Sequence, residues 1–303
     1  MTSPESTARP AGIGVIGLGV MGAPMAGHLL HAGFPLHVTA RRLESAQTLI
    51  DDGATWHPTP RALAGQCGVV VLMVPDMPDV EAVLDGPDGL LAGVAGQLLA
   101  VICSTVSPAG VRALDARVTS ATHGSVRIID APVSGGQEGA EAGTLAIMVG
   151  GAPAEVALAV PALAALGTVA HLGPLGAGQV AKSCNQMIVA ATVMALGEAS
   201  VVAERAGLDV AAMFDLLGRG YAGSQILEVK KDRFARHDHS PSGAARFMVK
   251  DLGFATQEAR HSGTVTPQLD VLRSVFTDLT AQGFGDQDTA VVQAWIEQQG
   301  AAG

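Results

Sequence analysis

Lysine is scarce in this chain: 303 residues include only Lys182, Lys230, Lys231 and Lys250. Acidic residues outnumber lysine plus arginine by 28 to 18, and a formal charge of −10 argues against the broad basic surface that nucleic acids need. Charged residues make up 15% against 48% hydrophobic, which excludes a disordered chain. Cysteine is rare too. Cys67, Cys103 and Cys184 stand far apart, in or beside apolar runs and without metal-ligand spacing. They are expected to be reduced thiols of a cytoplasmic protein, with no metal site. No apolar run approaches the ~18–20 residues of a bilayer-crossing helix. Met1–Pro10 is polar, lacks the apolar centre of a secretion signal, and reads as a frayed tail. The expectation is no membrane and no nucleic-acid partner, in a chain with room for two domains.

Glycine, by contrast, is abundant. Ile13–Ile16 runs directly into Gly17, Leu18, Gly19, Val20, Met21 and Gly22, the G-x-G-x-x-G spacing. The expected structure is a buried strand, a tight turn at Gly17 and a helix from about Gly22. In this reading Gly19 leaves room for a pyrophosphate and Gly22 allows close helix–strand packing. The helix amides and dipole then face the phosphates. With 38 glycines in the chain, a purely structural turn is the alternative. Leu36–Thr39 reads as the second strand and ends at Ala40, Arg41 and Arg42. An acid at this position would favour NAD. Two guanidinium groups without one favour the 2′-phosphate of NADP, unless they are simply solvated.

Strands and helices then alternate. Val69–Val74 reads as a strand buried on both faces, with Pro75 beyond it at the edge where ligands bind. Leu98–Ile102, Val126–Ile129, Leu145–Val149 and Thr168–Leu172 complete about eight strands. From Gly178 to about Ala206 the pattern is helical for some 29 residues, on the order of 43 Å. Helical periodicity continues over 210–217, 224–234, 244–261, 267–282 and 288–299. A boundary near Leu175 divides the chain into 12–174, a dinucleotide-binding domain, and 175–300, a helical substrate and oligomerisation domain.

Lys182 interrupts an apolar helical stretch, and Asn185 follows on the same face. The pair marks either a solvated stripe or a site. As a site, the ammonium is a general acid for a carbonyl oxygen that is accepting hydride, and partial burial would ease the release of its proton. Ser134, Gly135 and Gly136 offer amides and one hydroxyl to a carboxylate, or form an ordinary turn.

Four segments resemble the β-hydroxyacid dehydrogenases, which include 3-hydroxyisobutyrate dehydrogenase and tartronate semialdehyde reductase. They are 17–26, 130–136, Gly176–Gln186 and Lys250–Leu252, and their order spans nearly the whole chain. The resemblance implies a Rossmann-type α/β N-terminal domain and an all-α C-terminal domain joined by a long interdomain helix, assembled as a homodimer or homotetramer. It implies Lys182 as proton donor, with Asn185 orienting the substrate. It implies Ser134, Gly135 and Gly136 on the substrate carboxylate, Val74, Pro75 and Thr105 on the cofactor, and Lys250 beside the nicotinamide.

This chain departs from the family pattern at Ile102, where an acid is common, and at His28, where asparagine is usual. It also departs at Gly243 and Ala244, where tartronate-type relatives carry an aromatic and an arginine; a wider pocket is expected. Residues 185–190 and 222–224 look closest to the tartronate branch. The expected activity is NADP(H)-dependent interconversion of a small β-hydroxyacid and its aldehyde or ketone, without a metal. The alternatives are a reductase of a bulkier carbonyl or imine, and a non-catalytic cofactor-binding protein.

Overall fold

The computed structural model describes residues 12–301. Packing divides it into two compact units, one ending at Lys182 and the next beginning at Ser183. The first is built on a nine-stranded sheet: β1 (Ile13–Ile16), β2 (Leu36–Thr39), β3 (Thr55–Trp56), β4 (Val69–Leu72), β5 (Leu98–Ile102), β6 (Val126–Asp130), β7 (Val133–Ser134), β8 (Leu145–Gly150) and β9 (Gly167–Gly173). Helices α1 (Gly22–His31), α2 (Gln47–Asp51), α3 (Pro60–Ala64), α4 (Met77–Leu84), α5 (Pro108–Ala121), α6 (Gly136–Ala142) and α7 (Pro153–Leu163) connect the strands.

The strand order β3-β2-β1-β4-β5-β6 is parallel throughout, and β8 joins β6 antiparallel. The chain reverses direction across the sheet between β1 and β4, which places a crevice at their C-terminal ends. This is a Rossmann-type architecture. The apolar runs follow from it, because alternate residues feed two cores. Val69, Val71, Leu99 and Val101 pack on one face, and Val70, Leu72, Leu98 and Ala100 on the other.

The expected count of about eight strands becomes nine. Among those not named from the sequence, β3 and β7 have two residues each, too few for any pattern to register. Strand β4 stops at Leu72 and not at Val74, whose N–H turns to the Ser104 hydroxyl.

Helix α8 (Ala177–Arg205) begins in the first unit and continues through the second. It has 29 residues and a mean hydropathy of 1.6 over its most apolar window. Contrary to the expectation of no such segment, it is long and apolar enough to cross a membrane by length and composition. Alanine, valine and methionine outweigh its scattered polar residues, which an unbroken-run criterion does not tolerate. Gln179, Lys182, Ser183, Gln186, Ala190 and Val193 are buried at helical spacing, the signature of a core helix.

The second unit adds α9 (Val210–Leu217), α10 (Gln225–Arg236), α11 (Arg246–His261), α12 (Pro267–Leu279) and α13 (Val292–Ala301). These pack around Phe214, Phe234, Leu252 and Phe276. Helix α12 ends three residues earlier than its periodicity suggests, because a turn at Thr280–Phe284 holds Gly283 at φ 90°.

Two of the four lysines are committed to this framework. Lys230 reaches both oxygens of buried Asp288, at 2.7 and 2.8 Å, and Lys231 pairs with Asp215 and Glu228. Glu204 near the end of α8 and His237 just past α10 meet Glu297 in the middle of α13, with His237 Nε2 2.6 Å from Glu204.

Candidate active site

The glycine loop sits at the C-terminal ends of β1 and β4. Gly17 has φ 98°, and a Cβ there would collide with the Met73 carbonyl oxygen. A Cβ on Gly22 would collide with the Gly17 carbonyl, so these two glycines answer to the protein's own packing. Gly19 does not. It is exposed, and a Cβ there meets nothing within 4 Å. No side chain caps α1, and no acid stands in its first turn. Uncapped amides beside an open glycine fit the pyrophosphate of a dinucleotide.

At the end of β2, Arg41 and Arg42 are exposed. Arg42 shares a shallow concavity of about 570 Å³ with Glu44 and Ser45. A carboxylate therefore stands beside this guanidinium group, although the end of β2 itself carries none. Glu44 lies two residues past Arg42, in a short helical turn (Leu43–Ala46) that the sequence pattern does not announce.

Val74 and Thr105 come from neighbouring loops at the same sheet edge, with Pro75 exposed beside Val74. The Val74 N–H donates to Ser104 Oγ at 3.1 Å. Fully buried Gln179, on α8, clamps the Thr105 loop from both sides. Its Oε1 accepts from the Val106 N–H at 3.0 Å, and its Nε2 donates to the Ser104 carbonyl at 2.8 Å. Gln179 lies in the segment quoted for the resemblance, yet nothing in its spacing reveals this contact.

Asp130 anchors the start of α8. Its carboxylate accepts the Gly176 N–H at 2.6 Å and the Gln179 N–H at 2.7 Å. Gly178 is required here, because a Cβ would run into the Met148 carbonyl. Lys182 follows within about one turn and is buried, 8% exposed. A merely solvated stripe does not describe it. Asn185 is half-buried further along the same helix.

Burial pushes the Asp130 carboxyl up from 3.8 to about 6, against the pull of its backbone donors and Arg112. The native state thus holds this proton more tightly than the unfolded chain does. The linked stability is present in acid and lost as pH rises through about 6. The unfolding free energy of the wild type relative to Asp130→Asn should fall by roughly 2–3 kcal/mol between about pH 4 and about pH 7. Denaturant titrations of both proteins at each pH check this, and a constant difference would contradict it.

Ser134 is half-buried at the end of β7, and Gly135 and Gly136 are exposed where α6 begins. The Glu138 carboxylate stands beside Gly136, a negative neighbour that the motif alone does not suggest. In the second unit, Lys250 on α11 bonds Asp251 at 2.9 Å and lies 5.4 Å from the centre of the Phe254 ring.

A switch-point crevice with an open glycine over uncapped helix amides is the arrangement of a dinucleotide-binding domain. Comparison with known proteins narrows the class. Residues 12–176 match the family model of the NAD binding domain of 6-phosphogluconate dehydrogenase. Residues 176–295 match that described as NAD-binding of NADP-dependent 3-hydroxyisobutyrate dehydrogenase. The chain is 37% identical to the NAD-dependent L-serine dehydrogenase of Pseudomonas aeruginosa, over 93% of its own length and 96% of the relative's. Identity is also 37% with the 2-hydroxy-3-oxopropionate reductase of Escherichia coli, over the same shares of each chain. The crystal structure of a 3-hydroxyisobutyrate dehydrogenase from Salmonella typhimurium superposes with a TM-score of 0.85 at 27% identity, covering 93% of this chain and 98% of that one. The protein belongs to the β-hydroxyacid dehydrogenase family. It is an NAD(P)-dependent dehydrogenase acting on CH–OH groups.

Proposed function

We propose that this enzyme interconverts a small β-hydroxyacid and its aldehyde or ketone, prefers NADP(H), and uses Lys182 as proton donor. The observation that carries the reading is Lys182 itself, buried on an apolar helix whose first turn is fixed by Asp130 and Gln179. When bound, the nicotinamide supplies or accepts the hydride at C4.

The glycine loop, Val74, Pro75 and Thr105 would hold the dinucleotide, with Lys250 beside the nicotinamide. Ser134, Gly135 and Gly136 would take the substrate carboxylate, and Asn185 would orient the carbonyl. Lys182 Nζ would give its proton to the carbonyl oxygen and neutralise the developing alkoxide, taking the proton back in the oxidative direction. In this reading residues 12–174 bind the cofactor and 175–300 serve substrate binding and assembly, in a cytoplasmic homodimer or homotetramer. NADPH oxidation with glyoxylate, tartronate semialdehyde, succinic semialdehyde and methylmalonate semialdehyde tests the substrate class. Failure to reduce any of them would overturn it.

Arg41 and Arg42 support the cofactor preference despite Glu44. Charged hydrogen bonds to a 2′-phosphate contribute about 1.5–3 kcal/mol. Replacing both arginines with alanine should therefore weaken NADPH ~10–100-fold more than NADH in parallel binding titrations. Equal loss for both nucleotides would show that neither side chain reads the phosphate.

A second reading, a reductase of a bulkier carbonyl or imine, is favoured by Gly243. That glycine is exposed, and a Cβ on it would have no neighbour within 4 Å. Faster turnover of a bulky ketone than of any carbonyl acid in the same screen would select it.

A further inference from the structure

Two hydrogen bonds in the helical unit end on one carboxylate, and a third feeds into them through an amide. Asn185 Nδ2 donates to Gln186 Oε1 at 3.0 Å, and Gln186 Nε2 donates to Asp251 Oδ2 at 2.7 Å. Lys250 Nζ donates to Asp251 Oδ1 at 2.9 Å. Gln186 and Asp251 are buried, and Gln186 Nε2 also lies 3.7 Å from the sulfur of Met248.

A primary amide can be turned either way, and here its direction is dictated. A carboxylate only accepts hydrogen bonds, so Gln186 has to face Asp251 with its NH2 group and Asn185 with its oxygen. Asn185 must answer with N–H, which turns its own Oδ1 away from Gln186. Reversing either amide would set N–H against N–H, or oxygen against carboxylate, in a buried place where that is costly.

We propose that Asp251 and Gln186 are positioning residues. The carboxylate sorts the two amides, and so sets which side of the Asn185 carboxamide is presented for substrate. The same carboxylate holds Lys250. The inference rests on the role proposed above for Asn185, and extends the machinery to two residues that never touch the reacting atoms.

The test exploits composition: Asn185 is the single asparagine in the chain. Full-length protein labelled with 15N-asparagine therefore gives one side-chain NH2 pair. In wild type, the N–H bonded to Gln186 should exchange with solvent at least ~10-fold more slowly than in Gln186→Met. The same variant should lose ~10-fold or more in kcat/KM for tartronate semialdehyde while NADPH affinity stays within about twofold.

Gln186→Glu supplies the rescue. Its protonated carboxyl can donate to Asp251 and accept from Asn185, whereas the ionised form can only face Asp251 with like charge. Two carboxyls so placed keep their shared proton above the usual glutamate range. Activity of Gln186→Glu relative to wild type should therefore be high in acid and fall as pH rises, a limb that uncharged Gln186 cannot produce. Unchanged exchange in Gln186→Met, or pH profiles that run parallel, would overturn the proposal. Full turnover in Lys182→Ala would instead remove the proton-donor reading, and the exchange measurement would still decide on Asn185.

Discussion

Lys182→Ala should bind NADPH as wild type does and lose ~100-fold or more in turnover. The expectation of intact binding follows from where the cofactor determinants lie. The proposed cofactor contacts lie on the glycine loop at Gly19, at Val74, whose N–H bonds Ser104, and on the Thr105 loop that Gln179 clamps through Ser104 and Val106. The fold should also tolerate the change. Alanine suits the helix interior. The loss should appear in kcat as well as kcat/KM, because the interaction strengthens only as charge builds on the carbonyl oxygen. Paired measurements of NADPH affinity and steady-state reduction of tartronate semialdehyde decide the matter. Turnover within a fewfold of wild type would remove Lys182 from the chemistry.

The glycine loop offers a second large effect, with two residues expected to fail in opposite ways. Gly22→Ala would drive a methyl group into the Gly17 carbonyl, a backbone group that no rotamer change can move aside. Helix α1 would have to lift from β1, at a cost of about 1–3 kcal/mol or more. Gly19→Ala meets no protein atom within 4 Å, so stability should stay within about 0.5 kcal/mol. The methyl group would instead occupy the path of the pyrophosphate, and NADPH affinity should fall ~10-fold or more. Thermal unfolding and NADPH titration of both variants separate the two outcomes. Equal cofactor affinity in Gly19→Ala and wild type would show that the loop serves packing alone.

Much of this was readable before any coordinates. Leu36–Thr39 and Val210–Leu217 form the elements their patterns describe, because each is a short apolar stretch bounded by turn or cap residues. Lys182 stood out through rarity, as one of four lysines in an apolar helix. Distance along the chain hid the rest. Asp130 bonds residues 46 and 49 positions away, and Gln186 meets Asp251 across 65. No local period encodes such pairings. A buried glutamine on a helix also looks, in sequence, like one more solvated polar residue. Lys230 and Lys231 were equally undecided until their acidic partners became visible. The lone asparagine was visible in composition, and its meaning emerged only with the amide beside it.

The anchoring of α8 by Asp130 sets more than where the helix begins. A helix advances about 100° around its axis with each residue, so pinning the amides of Gly176 and Gln179 fixes the azimuth of every side chain downstream. One residue inserted between Gln179 and Lys182 would swing the ammonium through more than a quarter of the circumference, while leaving the sheet, its loops and the glycine turn as they are. The aim of the Lys182 ammonium is thus a matter of phase, held by an aspartate at the mouth of a neighbouring strand.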